Sequence, residues 1–384
     1  MGRRGGSRLG GVLFVALTLA CAQERLQQGR GWEGVDGATV NGAGGAAGAS
    51  PPRDAAAGRL VGDASRVDAR PAGVDAGASD DAGRRPPRLL SLVLDGAPWY
   101  ATQSTQGIAA DAEGKVYVAD YAHVFMVDGA TVSTYLTAAE AAEAADPGAS
   151  TPSIGDLDIG PDGRLYFITS WFSTTTGMRL AVMRSSQPHV AEPWIDVAPT
   201  TMDAGEIAVI DDGLIGLVSR SGFWTFSDAG GKLIYDPSLV ASQGCACEDL
   251  AADRSGTFLY QSGCNGYPLL RGQTDGSGVG VLYPASDLQP SPIAADNFLC
   301  VARDPSGGFY LAVDDPNDGE PRLYHIAPDA QATSAPTWIE TTPSFAQASQ
   351  QRSSVYGFDF CSLATAPDGT VYFQTYAQLW KVSP

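Results

Sequence analysis

Three acidic residues recur at one position of a repeated unit. Asp156, Glu206 and Asp249 each stand directly before the aliphatic residue that lies six places ahead of a turn glycine. Other oxygen-bearing side chains fall near the same point: Gln106, Glu248, Asn297 and Asp359. Carboxylates and amides delivered from several strands to one place suit a calcium ion, which takes six to eight oxygen ligands. A ring of solvated acids is the alternative. Asp156, Glu206 and Asp249 are the candidate metal ligands, because they occupy the same position in three successive copies.

Other chemistries have less material. The three histidines, His123, His189 and His325, stand in or beside strands or in a Pro-flanked loop, which leaves little for a Ser-His-Asp or His-based mechanism. The stretch Asp314 to Glu320, DDPNDGE, departs from the twelve-residue calcium loop, with Pro316 where a ligand belongs and His325 where the bidentate Glu should be. No Gly-rich phosphate loop or dinucleotide fingerprint follows a strand and opens a helix.

The unit that must position the acids is seen first in Gly107 to Asp128, GIAADAEGKVYVADYAHVFMVD: an apolar run, an acidic Gly turn, an alternating strand and a further apolar strand. It recurs in LDIGPDGRLYFIT, IAVIDDGLIGLVS, LAADRSGTFLYQS, VARDPSGGFYLAV and LATAPDGTVYFQT, each with an aliphatic residue six before its glycine: Ile108, Leu157, Ile207, Leu250, Val301 and Leu363. The copies lie 43 to 62 residues apart, the spacing of four-stranded propeller blades. Third strands are expected at 123–127, 179–184, 222–227, 268–272, 322–327 and 378–382, and outer strands at 132–137, 193–197, 232–236, 280–283 and 337–341. The sixth copy runs out of chain after its third strand. Its outer strand is available in Leu89 to Leu94, LLSLVL, and closing the ring with both ends of the chain removes an open sheet edge. Residues 88–384 therefore read as an all-β, six-bladed β-propeller.

One face of such a disc collects the loops between second and third strands and between blades. Trp99, Tyr100, Tyr121, Trp171, Phe172 and Tyr267 fall there and are the candidate binding aromatics. A helical segment at Ala138 to Ala145 is expected over the same face. Five cysteines map to it as well: Cys245, Cys247, Cys264, Cys300 and Cys361. In an exported chain they are disulfide candidates, Cys245 or Cys247 with Cys264, and Cys300 with Cys361 or Cys247, with one left over. A Cys-x-Cys metal site is the alternative.

Export is expected from the first 21 residues, with Arg3, Arg4 and Arg8, an apolar run from Leu9 to Leu19, and Ala20-Cys21. Leu17 to Cys21, LTLAC, resembles a bacterial lipobox, which implies acylation of Cys21 and anchoring in a membrane. An ordinary secretory signal is the other reading. Ala22, where the sorting rule of lipoproteins would place Asp for the inner membrane, implies the outer membrane. Residues 22–87, rich in Gly, Ala, Asp, Arg and Pro, read as a disordered tether with a reach on the order of 45 Å. Loss of the signal moves the formal charge from -19 to -22, and no basic patch offers itself to phosphates, so nucleic acid is not an expected partner.

The turns PDG at Pro161 and Pro367 and PSG at Pro305, each followed by a Tyr-bearing strand, resemble those of NHL-repeat propellers and, more loosely, gluconolactonase-like proteins. The resemblance covers 88–384. It implies a calcium ion at the channel mouth that polarises a substrate carbonyl, yet Gln106-Gly107-Ile108 lacks the family's Glu-x-Pro and no copy carries its Asn motifs. The expectation is a tethered, non-catalytic propeller that presents its loop face to an envelope protein or carbohydrate. The alternatives are a calcium-dependent lactonase or esterase and a structural envelope component.

Overall fold

Glycine at a positive φ reverses five of the six hairpins. Gly114, Gly163, Gly256 and Gly369 have φ of 81°, 75°, 83° and 84°, a region other residues enter at a cost. The acid ahead of the glycine ties the turn: Asp111 accepts backbone N–H groups from Glu113 and Lys115, each at 2.9 Å. Tyr117 on the following strand donates its hydroxyl to the other oxygen of Asp111 at 3.2 Å. Tyr166 repeats this with Asp162 at 3.0 Å, and its burial, with that carboxylate beside it, pushes its hydroxyl pKa up to about 12.

In the computed structural model the described residues are 86–99, 105–197, 205–219, 222–235, 249–261, 269–283, 297–314, 321–332, 334–350, 362–374 and 378–384. They belong to one compact unit, Pro86–Pro384. Six antiparallel sheets arise in chain order, each running from an inner strand outward. The inner strands are Thr105–Ala110, Ser150–Ile159, Glu206–Asp211, Asp249–Ala252, Asn297–Arg303 and Ser362–Thr365. Each inner strand touches those of the neighbouring blades, and the sixth touches the first, so the ring is closed.

Between consecutive blades lies one apolar cluster, six in all. The aliphatic residues six before the glycines belong to these clusters, which explains their recurrence. Ile108, Leu157, Ile207, Leu250, Val301 and Leu363 are all buried.

The closing strand forms as its sequence suggests. Arg88–Asp95 runs antiparallel to Gln378–Val382, with Leu90 opposite Val382 and Leu92 opposite Trp380. Beyond it the fold departs from four strands per blade. The expected outer strand at 337–341 splits into Thr337–Trp338, which stays with blade five, and Thr341–Thr342, which pairs in parallel with the closing strand and makes the sixth sheet five-stranded. Ile339, buried between the two pieces, marks the handover. Helix α1 spans Ala138–Ala145 and carries a capping box between Thr137 and Glu140. A short second helix, α2 at Phe345–Gln350, packs Phe345 and Ala348 into the cluster between blades five and six.

Alternation along the closing strand yields a direct check. Leu90 is 3% exposed and Leu89 59%. Leu90→Ala is expected to lower stability by about 2–5 kcal/mol, and Leu89→Ala by less than about 0.5 kcal/mol. Urea denaturation of the two variants tests this; equal losses would mean that the strand does not seal the ring in this register.

Candidate functional site at the central channel

The inner strand of a blade has a sheet partner on one side only. Its other backbone edge faces the axis, where its N–H groups need acceptors. In three places the preceding blade supplies them as carboxylates. Asp156 Oδ2 accepts from the N–H of Ile207 at 2.9 Å, Asp158 Oδ2 from Val209 at 2.8 Å, and Asp249 Oδ2 from Val301 at 2.7 Å. Second oxygens are used locally: Asp249 Oδ1 accepts from Leu250 at 2.9 Å, and Asp158 Oδ1 from Ile159 at 2.7 Å.

Space for these side chains is built into the repeat. Gly107 occupies in blade one the position of Asp156 in blade two, and a Cβ on Gly107 would lie 1.9 Å from Asp156 Oδ1 and 2.9 Å from the nitrogen of Leu157. The glycine lets the carboxyl lie against the neighbouring backbone. Burial pushes the pKa of Asp156 well above the ordinary aspartate range, and the charge of Asp249 adds to the shift. Hydrogen bonds from the backbone of Ile207 and Leu157 and with the Glu206 side chain oppose it. Asp156 thus holds its proton more tightly folded than unfolded.

Small residues at the axis let the inner strands approach one another. Ala109, Ala208, Ala251, Ala302 and Ala364 line a cavity of about 60 Å3, with Asp156 and Asp249 among its polar walls. Toward the turn face, Arg303 reaches over from blade five. It donates to the carbonyl of Ile159 at 2.9 Å and to that of Val209 at 3.3 Å, and lies 3.9 Å from Asp158. Thr365 of blade six donates to the carbonyl of Arg303 at 2.5 Å.

The three acids expected to ligate a metal therefore meet at the channel, with Asp156 hydrogen-bonded to Glu206 and sensing Asp249. Asp156 and Asp249 each turn an oxygen to a backbone N–H of the next blade. Among the described residues no group of three or more His, Cys, Asp or Glu side chains is arranged to hold a metal ion. Of the other oxygen donors, Glu248 and Asp359 lie outside the described residues.

The aromatic set divides. Trp99 is fully buried in the cluster between blades six and one, and Trp171 is buried between blades one and two, its Nε1 donating to Asp146 at 3.2 Å. Both pack the core and neither is a surface contact, since a large indole contributes most where it is fully buried. Tyr121 is half-buried, and Phe172 is 44% exposed at the end of a long second strand in blade two. Tyr100 and Tyr267 lie outside the described residues, as do Cys21, Cys245, Cys247, Cys264 and Cys361. Cys300 is buried, and no disulfide is found among the described residues.

Arg303 and Asp158 were not singled out in the sequence. Asp158 stands where all five other copies carry alanine, and Arg303 where the other copies have no charge, so a break in the repeat was the available signal.

No protein-family model and no curated protein matches the chain. Among solved structures, a gluconolactonase from Xanthomonas campestris is 14% identical, with a TM-score of 0.50 over 82% of this chain and 99% of the other. A protein of unknown function from Bacteroides thetaiotaomicron is 13% identical, with a TM-score of 0.51 over 77% of this chain and 75% of the other. The six-bladed propeller fold is shared with that gluconolactonase. At such identities the likeness to gluconolactonase-like propellers extends to architecture and carries no site residue across.

Two substitutions probe the channel. Gly107→Ala is expected to cost about 1–3 kcal/mol by overpacking against Asp156, read as a lower melting temperature. For Asp156 the folded pKa is raised, so its contribution to stability is full below the unfolded pKa and is lost as pH rises through the folded value. Asp156→Asn removes that titration. The melting temperature of the variant should fall less between pH 5 and pH 8 than that of the parent; parallel pH profiles would contradict the assignment.

Proposed function

We propose that this chain is an exported, membrane-tethered lipoprotein whose propeller presents its loop face to a protein or carbohydrate partner without catalysing a reaction. The observation that carries the non-catalytic reading is the engagement of Asp156, Asp158 and Asp249 by backbone N–H groups of the next blade. Carboxylates used in this way hold blades together, and a hydrolytic centre needs groups aimed at a reacting atom instead. The loop face supplies contact groups in the exposed ring of Phe172 and in α1, which packs between blades one and two. Export and anchoring rest on the sequence LTLAC ending at Cys21 and on the Gly- and Ala-rich stretch that follows it.

A calcium-dependent lactonase or esterase is the second reading, favoured by the convergence of Asp156, Glu206 and Asp249 on one channel. Thermal unfolding with millimolar calcium and with chelator separates the two. The binding reading expects no change in melting temperature. A rise of several degrees with calcium that disappears in Asp156→Ala would replace it with the enzyme reading. For the anchor, Cys21→Ser is expected to move the protein from the membrane to the soluble fraction of bacteria expressing it and to abolish labelling by a palmitate analogue. Unchanged membrane association and labelling would remove the lipoprotein assignment.

A further inference from the structure

In a ring of six, blade five faces blade two across the axis, and blade three stands beside blade two. The hydrogen bonds of Arg303 follow that diameter. Its side chain starts from the last residue of the blade-five inner strand, beside the turn beginning at Asp304, and ends on the carbonyls of Ile159 in blade two and Val209 in blade three. We propose that Arg303 is a cross-ring strut that couples opposite blades and stoppers the channel at its turn face, leaving the cavity to open toward the loop face.

Three features support the strut. First, the carbonyls it meets belong to strand edges without a sheet partner on the channel side, and the guanidinium fork supplies donors to two of them at once. Second, the charge is balanced locally. Asp158 lies 3.9 Å away while accepting the N–H groups of Ile159 and Val209, the residues whose carbonyls Arg303 holds. Guanidinium, carboxylate and two backbone edges thus form one network. Third, the base of Arg303 is fixed from the other side, by Thr365 of blade six bonding its carbonyl. Neighbouring blades in a propeller communicate through shared faces. Arg303 adds a connection that skips blade four to reach blade three and crosses the axis to reach blade two, so strain in blade five reaches both directly.

Hydrogen exchange followed by mass spectrometry on the full chain tests this with Arg303→Ala and the milder Arg303→Lys. The strut predicts exchange in Arg303→Ala faster by roughly tenfold in the inner strands of blades two and three. Blade four, adjacent to blade five, should change little, and Arg303→Lys should fall between variant and parent. Faster exchange confined to blade five would overturn the proposal, as would a uniform increase over all six blades. If Arg303→Ala does not fold, the same comparison is read from Arg303→Lys, where unchanged exchange in blades two and three counts against the strut.

Discussion

An inner propeller strand is an edge strand turned inward, and its unpaired N–H groups are the constraint on which the disc depends. Elsewhere in the ring the backbone is satisfied by its own sheet. At the axis the blades have to satisfy one another, since they stand too close for broad solvation and are not in ladder register. Here the answer is a carboxylate from one blade bonding the backbone of the next, at 2.7 to 2.9 Å in three places. Such bonds satisfy donors that would otherwise be buried without a partner. They pull inner strands together while the six apolar clusters behind them seal the blade faces.

This arrangement is uneven around the ring. Acids bridge blade two to three and blade four to five, Thr365 ties blade six to five, and Arg303 crosses the axis. Blade one gives up its side chain altogether at Gly107, where the Asp156 carboxyl takes the space. The same axial position is thus glycine, acid, thiol or hydroxyl in different copies, set by what its neighbours require. Asp156 and Asp249, candidate metal ligands in the sequence, each bond the neighbouring strand, and the raised pKa of Asp156 follows from its burial.

Much of the architecture was legible because the repeat ties an aliphatic anchor to a turn glycine at constant spacing. Leu157 and Gly163 define blade two as clearly in the sequence as in space. The closing strand was legible from a missing neighbour, as LLSLVL has nowhere else to pair. What escaped is everything that depends on direction. Trp99 and Trp171 look like rim aromatics from their place in loops, but each turns inward to a cluster. The repeat places Asp156 and Asp249 at the axis, while the backbone N–H groups they bond belong to a neighbouring blade some 50 residues away. The split of the last outer strand, likewise, is decided by packing of Ile339 rather than by strand-forming residues.

The central claim, that carboxylates of one blade hold the channel-facing backbone of the next, is tested most directly at the amides of Ile207 and Val301. Residue-resolved hydrogen exchange by NMR should find both as slow as amides inside the sheet ladders, although each faces the axis. Both should accelerate when the acceptor is removed, Ile207 in Asp156→Ala and Val301 in Asp249→Ala. Rapid exchange of these two amides in the parent protein would contradict the account.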